Sequence, residues 1–198
     1  MKTTTDHAYR RAGFPVARRS RRDVRLVAHY LLNHVSKEIG WLADPFPIVD
    51  LLELWAAECG PTVERDRPNI DICEPDEIPH ADAEFIPHRN VIRIDRQIWD
   101  DASDGDPLCH WILAHETGHV LLKHYASAGL YRDGFKAVDP ETDSEHQANW
   151  FADELLMDSR KIDLSTDGTT ALIQRFSVSS AMAVRRLREL ILESGSAR

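Results

Sequence analysis

Apolar residues recur at three-to-four spacing in several parts of this chain, a pattern typical of helices with one buried face. A first stripe predicts a helix over residues 22–39, which Gly40 can end. Its apolar positions are Val24, Val27, Leu31 and Val35. The run from Ile48 to Cys59 predicts a second helix, which Gly60-Pro61 ends.

Strands are expected between these helices and the middle of the chain. Residues 91–95 alternate apolar and polar side chains and are rich in β-branched residues, which favours a strand. Prolines and acidic residues interrupt 61–90, so we expect short strands there, including 62–64 and 83–86. If strand 91–95 lies at a sheet edge, it could pair with an extended peptide. The alternative is an ordinary strand of the core.

Two further helical patterns lie in the second half of the chain, over about 108–124 and 141–157, with a loop at 125–140 between them. The later helix follows Pro140 and an acidic cluster, which suits a helix N-terminus. Its apolar positions are Ala148, Phe151, Ala152, Leu155 and Leu156. Residues 167–193 predict two more short helices.

These patterns predict an α+β fold, mostly helical, with a small mixed or antiparallel sheet beside the helix at 108–124. We expect a basic flexible arm over residues 1–20, a main domain over 21–160 and a helical C-terminal segment over 161–198.

The helix at 108–124 contains His115-Glu116-Thr117-Gly118-His119, the H-E-x-x-H arrangement of zinc peptidases. Positions i and i+4 share one helix face, so His115 and His119 can aim ring nitrogens at one ion. Glu116 lies close enough to reach a water molecule at that ion. Gly118 is unfavourable inside a helix, and a close approach of another backbone would explain it.

A catalytic zinc ion usually takes three protein ligands. Glu145, in the first turn of the helix at 141–157, is our choice for the third. Asn149 follows one turn later and would hold a ligand histidine by its other ring nitrogen. Other ligand-type residues compete for the role: His124, His146 and Asp153. A solvated acidic residue is the alternative for Glu145.

These motifs resemble the ImmA/IrrE metallopeptidases. The resemblance rests on L-A-H-E-x-G-H-x-L-L followed by E-x-Q-A-N-x-F-A-x-E-L-L-M, with weaker likeness in the flanks. It implies a zincin-like domain of the gluzincin type, with His115, His119 and Glu145 as zinc ligands and Glu116 as general base. It also implies cleavage of a helix-turn-helix transcriptional repressor. Two departures, Gln147 for a common glutamate and Asp158 for a common proline, touch no proposed ligand.

The chemistry implied is zinc-dependent hydrolysis of a peptide bond. Zn²⁺ bound by two imidazoles and a carboxylate lowers the pKa of its water, and Glu116 would take the proton and pass it to the leaving amine. A donor side chain often stabilises the oxyanion. Three residues are candidates, His124, Tyr125 and Tyr131, and the sequence does not choose among them.

Composition bears on the cellular compartment in which this chemistry would take place. Three widely spaced cysteines, Cys59, Cys73 and Cys109, favour a reduced cytoplasm over a disulfide framework. The sequence has no apolar run long enough to cross a membrane and no secretory signal, so we expect a cytoplasmic protein.

Charge is distributed unevenly, which bears on possible partners. The net charge is −9, yet residues 1–25 hold eight basic and two acidic side chains. This arm could contact nucleic acid, although a solvated tail is the favoured interpretation. Gln174 to Arg188 has features of a helix-turn-helix with a turn at 177–179, but a helical cap on the main domain is favoured over DNA contact.

Two functions remain open at this point. The first is a zinc endopeptidase with a specific protein substrate. The second is a non-catalytic metal-binding regulator, such as a toxin–antitoxin-like module that holds a partner. Glu116 favours the first, because a binding module needs no base beside the two histidines.

Overall fold

A computed structural model describes residues 13–38, 40–41, 43–58, 67–124 and 139–196 of the chain. It has the α+β fold that the sequence predicts. The helices are α1 (Arg21–Glu38), α2 (Ile48–Glu58), α3 (Arg96–Ser103), α4 (Pro107–Leu121), α5 (Ser144–Leu156), α6 (Thr169–Phe176) and α7 (Ser180–Ser196). The strands are β1 (Asn69–Cys73), β2 (Ala83–Ile86) and β3 (Val91–Asp95), and short 3-10 turns span Pro140–Thr142 and Ser159–Lys161.

The sheet is small and mixed, as predicted, in the order β1-β3-β2. β3 pairs in parallel with β1 and antiparallel with β2. The possibility that strand 91–95 forms a sheet edge is therefore wrong, because β3 is the central strand and buries Ile92 and Ile94 completely. Among the described residues β2 is the edge on the side of α4. The strand expected at 62–64 lies outside the described residues.

Asp100 to Pro107 has the composition of a turn-rich acidic loop, yet helix α3 extends through Ser103 and the turn begins only after it. Asp95 caps α3 by accepting a hydrogen bond from the Gln97 backbone N–H, and Ile98 and Ala102, one turn apart, are buried. The acidic residues of the segment lie on the exposed or half-buried face, so their density did not prevent a helix.

Local capping explains where the two central helices begin. The Asp106 carboxylate accepts from the backbone N–H groups of Leu108 and Cys109, and Pro107 occupies the first turn of α4. Asp143 caps α5 in the same way, accepting from Glu145 and His146. These caps fix where each helix starts.

α4 and α5 pack tightly against each other in the centre of the core. A Cβ atom added at Gly118 would lie 3.0 Å from Phe151 Cδ1 and 3.3 Å from Ala148 Cα. The expected close approach of another backbone to Gly118 is thus confirmed, and the backbone is that of α5. Glycine permits this approach, and the approach brings the two helices' polar residues within reach of each other.

Residues 13–20, which we call the N-terminal strap, do not extend into solvent as the predicted arm would. Val16 and Arg19 donate backbone hydrogen bonds to Thr142 and Glu141, and Phe14 exchanges two with Ser144. The Arg19 guanidinium donates to the Leu122 carbonyl at the end of α4. The strap therefore crosses the start of α5, whereas residues 1–12 lie outside the described residues.

The C-terminal helices pack on the main domain. The turn predicted at 177–179 separates α6 from α7, with Ser177 in the left-handed region at φ 52°. Arg185 binds the Asp153 carboxylate, and Arg186, 2% exposed, binds Glu154 and the Met157 carbonyl. Both arginines lie in the segment with helix-turn-helix features, and both bind groups of the protein itself. Within the described ranges, no helix has the length and apolar character needed to cross a bilayer.

Candidate metal centre

Three side chains from α4 and α5 converge on one point. The two imidazole Nε2 atoms of His115 and His119 are 3.0 Å apart. The Glu145 carboxylate places Oε2 at 3.3 Å from His115 Nε2 and Oε1 at 3.3 Å from His119 Nε2. All three groups offer ligand atoms within 4.8 Å of one another. The structure therefore brings together the three residues that the sequence singles out as zinc ligands.

Asn149 orients the first of these imidazoles. Its Oδ1 atom lies 2.9 Å from His115 Nδ1, and an amide oxygen only accepts, so Nδ1 carries the hydrogen. The Nε2 lone pair of His115 then faces Glu145 and His119. The contact expected for Asn149 is present, one helical turn after Glu145 on α5.

His119 is oriented by a second histidine. Its Nδ1 lies 2.8 Å from His124 Nδ1, and His124 Nε2 lies 3.1 Å from Gln147 Oε1. Burial lowers the pKa of His124 well below its usual range, and the neighbouring His119 adds to this effect. His124 is therefore neutral, and both of its nitrogens are engaged inside the protein.

The charge at this site comes from Glu145 and its two imidazole neighbours. Burial alone would raise the pKa of Glu145, but the adjacent imidazoles of His115 and His119 outweigh it and hold that pKa well below the usual range. Burial opposes protonation of His115, yet Glu145 and Glu116 raise its pKa overall. Among the described residues no lysine or arginine pairs with Glu145, so this part of the chain leaves the carboxylate open to a metal cation.

These residues fit a zinc ion. Two nitrogen atoms only 3.0 Å apart cannot both carry a hydrogen toward each other, so at least one presents a lone pair. Two imidazole nitrogens and one carboxylate are the protein ligands of a common class of catalytic zinc site. The outer ring nitrogens are already held by other groups, which is the usual support for zinc-binding histidines.

Glu116 lies beside this triad and is 3% exposed. Its Oε2 accepts a hydrogen bond of 2.8 Å from the backbone N–H of Phe85 in β2. The carboxylate is thus fixed between α4, which carries it, and the edge strand β2. It lines the same cavity as His119 and Glu145.

The cavity has a volume of about 310 Å³ and a divided lining. Its polar wall consists of Glu116, His119, His124 and Glu145, and its apolar wall of Phe14, Phe85 and Pro87. Phe14 comes from the N-terminal strap and Phe85 from β2. Sequence reasoning missed both, because neither stands in a recognisable motif and only the packing of distant segments brings them to α4.

The competing ligand candidates lie elsewhere. His146 is exposed, and its Nδ1 lies 3.4 Å from Asp143 Oδ1 rather than at the triad. Asp153 is buried but lies about two helical turns after Glu145 on α5, where it accepts from Trp111 and Arg185. His124 is near the site but has no N–H left to donate to a substrate, so its expected role as oxyanion donor is not supported. Tyr125 and Tyr131, the other candidates for that role, lie outside the described residues.

A second cluster of ligand-type residues was not foreseen from the sequence. His29, Glu154 and Asp158 also offer ligand atoms within 4.8 Å of one another. Glu154, however, accepts hydrogen bonds from Arg25, Arg186 and Ser159, and Asp158 from Arg160. We name it the arginine-bound cluster. His29 lies more than one hundred positions before Glu154 and Asp158 in the chain, so no local spacing could have revealed the whole cluster.

Comparison with known proteins gives one family. The family model described as Peptidase_M78, IrrE N-terminal-like domain, matches residues 65–188, which is more than half of the chain. No curated protein matches the chain. The matched region includes the whole sheet, α4 with its two histidines, and α5 with Glu145. The chain therefore belongs to the M78 peptidase family, as a member with an IrrE N-terminal-like domain.

Proposed function

We propose that this protein is a zinc-dependent endopeptidase that acts on a specific protein substrate. One observation carries the proposal: the Glu116 carboxylate lines the same cavity as His119 and Glu145, two members of a triad that presents zinc ligands. A site that only stored or sensed a metal would need the triad but not a buried acid beside it. Membership in a peptidase family supports the same conclusion.

His115, His119 and Glu145 would hold the zinc ion. When bound, zinc supplies a Lewis acid that polarises a carbonyl group and makes water a stronger nucleophile at neutral pH. The protein's part is to present two imidazole lone pairs and one ionised carboxylate at a fixed place. Asn149 and His124 keep the two imidazoles from turning.

Glu116 is the proposed general base. Its carboxylate would accept a proton from the attacking water molecule and return it to the leaving nitrogen of the cleaved peptide bond. The hydrogen bond from the Phe85 backbone N–H keeps the Glu116 carboxylate in the cavity. Proton transfer requires this carboxylate to lie within hydrogen-bond distance of the attacking water molecule. The oxyanion donor is not among the described residues that line the polar wall.

The substrate would bind as an extended segment along β2. This strand is the sheet edge next to α4 among the described residues, and an edge strand can form backbone hydrogen bonds with a peptide. Phe14, Phe85 and Pro87 give the cavity an apolar wall, which favours a large apolar side chain near the cleaved bond. We further propose a helix-turn-helix repressor in the cytoplasm as the substrate, on the ImmA/IrrE resemblance alone.

The decisive variant is Glu116→Gln, because it keeps the shape of the side chain and removes its basicity. We expect it to bind about one zinc ion per chain, like the wild type, and to cleave a peptide library about 100-fold more slowly or worse. Glu77→Gln, at an exposed turn, is the matched control and should cleave at the wild-type rate. Unchanged cleavage by Glu116→Gln would remove the residue from the mechanism, and a wild-type protein that binds zinc but cleaves nothing would favour the metal-binding regulator.

The substrate proposal needs its own experiment. A helix-turn-helix repressor encoded beside this protein would be incubated with the zinc-loaded wild type and with Glu116→Gln, and the products measured by mass spectrometry. We expect one cut, next to a large apolar residue, made by the wild type alone. An intact repressor alongside cleaved library peptides would refute the repressor proposal and leave the peptidase standing.

A further inference from the structure

A continuous set of hydrogen bonds runs from the N-terminal strap to His119. Gln147 Nε2 lies 3.0 Å from the Ala17 carbonyl oxygen and 2.7 Å from that of Glu141. Gln147 Oε1 lies 3.1 Å from His124 Nε2, and His124 Nδ1 lies 2.8 Å from His119 Nδ1. Gln147 and His124 are both buried, with relative exposures of 0% and 1%.

The orientation of the Gln147 amide follows from its two carbonyl partners. A backbone carbonyl oxygen can only accept a hydrogen bond, so the group facing Ala17 and Glu141 must be the NH₂ group of the amide. The amide oxygen therefore faces His124. This assignment uses both amide hydrogens and leaves no reason for the side chain to turn over.

The tautomer of His124 follows next. Since Gln147 Oε1 only accepts, His124 Nε2 must carry a hydrogen and donate it. A neutral imidazole has only one N–H, so Nδ1 of His124 is bare and acts as an acceptor. The remaining contact, between two Nδ1 atoms 2.8 Å apart, then requires the hydrogen to be on His119.

We propose that Gln147 and His124 are positioning residues that hold His119 as its Nδ1–H tautomer and so leave its Nε2 lone pair to bind the metal. The proposal rests on the metal centre of the proposed function. The strap has a direct part in it, because Ala17 supplies one of the two carbonyl groups that orient Gln147. Ala17 precedes the family-matched residues 65–188, so this support is provided by a part of the chain outside the match.

The two zinc-binding imidazoles are thus held by different means. Asn149 acts on His115 directly through its amide oxygen, whereas Gln147 acts on His119 through an intervening histidine. Supporting partners of this kind, when removed, typically weaken metal binding by about 10–100-fold. The same loss is expected when His124 can no longer accept from His119.

The tautomers can be observed directly in metal-free protein. Two-bond ¹H–¹⁵N correlation spectra of the ¹⁵N-histidine-labelled chain, recorded at about pH 8 where most imidazoles are neutral, distinguish Nδ1–H from Nε2–H rings. We expect His115 and His119 as Nδ1–H tautomers and His124 as the Nε2–H tautomer. His119 as the Nε2–H tautomer would overturn the proposal, with no variant needed.

Three variants separate positioning from mere packing. His124→Leu removes the acceptor, and we expect zinc affinity, measured by chelator competition, to fall about 10–100-fold and His119 to lose its single tautomer. His124→Asn puts an amide oxygen near the position of Nδ1, so both readouts should return toward the wild type. His110→Leu makes the same change on α4, at a ring whose Nε2 lies 2.8 Å from the Ala102 carbonyl oxygen; it is the control and should change neither readout.

The outcomes distinguish this proposal from the proposed function. If the wild type binds no zinc, the proposed metal centre is refuted. The tautomer spectra still test the series of hydrogen bonds from Gln147 through His124 to His119, which we call the relay. If His124→Leu keeps both the His119 tautomer and the zinc affinity, the relay is refuted and the peptidase is untouched. Should His124→Leu not fold, Gln147→Met removes the oxygen acceptor with little change in volume, and His119 tautomer mixing is expected in it; a pure Nδ1–H His119 in that variant would contradict the relay.

Discussion

The proposed zinc triad (His115, His119 and Glu145) and the arginine-bound cluster are built from the same kinds of side chain. Each combines histidine with carboxylate, and in each the ligand atoms lie within 4.8 Å of one another. Each also draws on α5, which carries Glu145 near its start and Glu154 near its end. By residue type and spacing alone the two would be equal candidates for a metal ion.

Their surroundings differ in charge. The Glu154 carboxylate is bound by Arg25 and Arg186, and its other oxygen accepts from His29 and from both the backbone and hydroxyl of Ser159. Among the described residues, the Glu145 carboxylate contacts the imidazoles of His115 and His119 and lines the cavity, and no arginine or lysine pairs with it. A buried carboxylate needs charge compensation. Among the described residues arginines supply it in the arginine-bound cluster, whereas in our proposal a zinc ion supplies it at Glu145.

The largest expected contrast is in metal content. His119→Ala should reduce bound zinc from about one ion per chain to almost none, and abolish cleavage, because it removes one of three ligands. His29→Ala makes the same change in the arginine-bound cluster and should keep the wild-type zinc content. Metal analysis after dialysis checks both; zinc lost from His29→Ala and retained by His119→Ala would reverse our assignment of the two clusters.

The free energy of unfolding, in contrast to the zinc content, should depend strongly on the arginine-bound cluster. Arg186→Met leaves the buried Glu154 carboxylate without its most buried partner and should cost about 3–5 kcal/mol of the free energy of unfolding. Arg160→Met, at a side chain 42% exposed, should cost about 0–1 kcal/mol. Urea unfolding measures both. Equal, small losses in the two variants would mean that Glu154 is not held by Arg186.

Low pH should also destabilise the protein through protonation of Glu154. Burial alone would raise its pKa, but Arg186 and Ser159 outweigh burial and lower the pKa from 4.5 to about 2. A carboxylate with a lowered folded-state pKa stabilises the protein above its unfolded pKa and loses this effect as the pH falls toward the folded one. Of the stability at neutral pH, about 3 kcal/mol should therefore be lost between about pH 4.5 and pH 2.

The measurement is urea unfolding of metal-free protein at a series of pH values. Glu154→Gln has no carboxyl group to titrate, so its stability should fall less steeply over that window. Parallel curves for the two proteins would show that this carboxylate does not titrate as the structure requires.

The smallest effect concerns the contact that brings α4 and α5 together. In Gly118→Ala the gain in helix propensity of about 1 kcal/mol competes with overpacking against Phe151 and the Ala148 backbone, which typically costs about 1–3 kcal/mol. We expect a net loss of about 1 kcal/mol and weaker zinc binding, since Glu145 moves with α5. Gly195→Ala, whose new Cβ meets nothing within 4 Å, should not lose stability; equal results in the two variants would contradict the tight packing.

The central helices could be predicted from the sequence because their signals are local. Four-residue spacing places His115 and His119 on one face, and an acidic residue before α5 marks its start. The role of Gly118 was also foreseeable, since glycine inside a helix needs a packing reason. The role of Glu145 was harder to predict from the sequence, because its approach to the histidines depends on how α4 and α5 pack.

What the sequence could not supply depends on contacts between distant segments. The position of β3 inside the sheet depends on pairing with β1, which no local pattern encodes. The strap has a basic composition typical of a tail, yet its backbone hydrogen bonds hold it on α5. Gln147 has no distinctive signal until Ala17 and His124 are beside it.

Zinc-edge anomalous diffraction from crystals of the zinc-loaded protein tests the central claim most directly. We predict a single strong peak, bound by His115 Nε2, His119 Nε2 and the Glu145 carboxylate, and no peak at His29, Glu154 and Asp158. A zinc ion in the arginine-bound cluster, or a triad that stays empty at saturating zinc, would contradict the account.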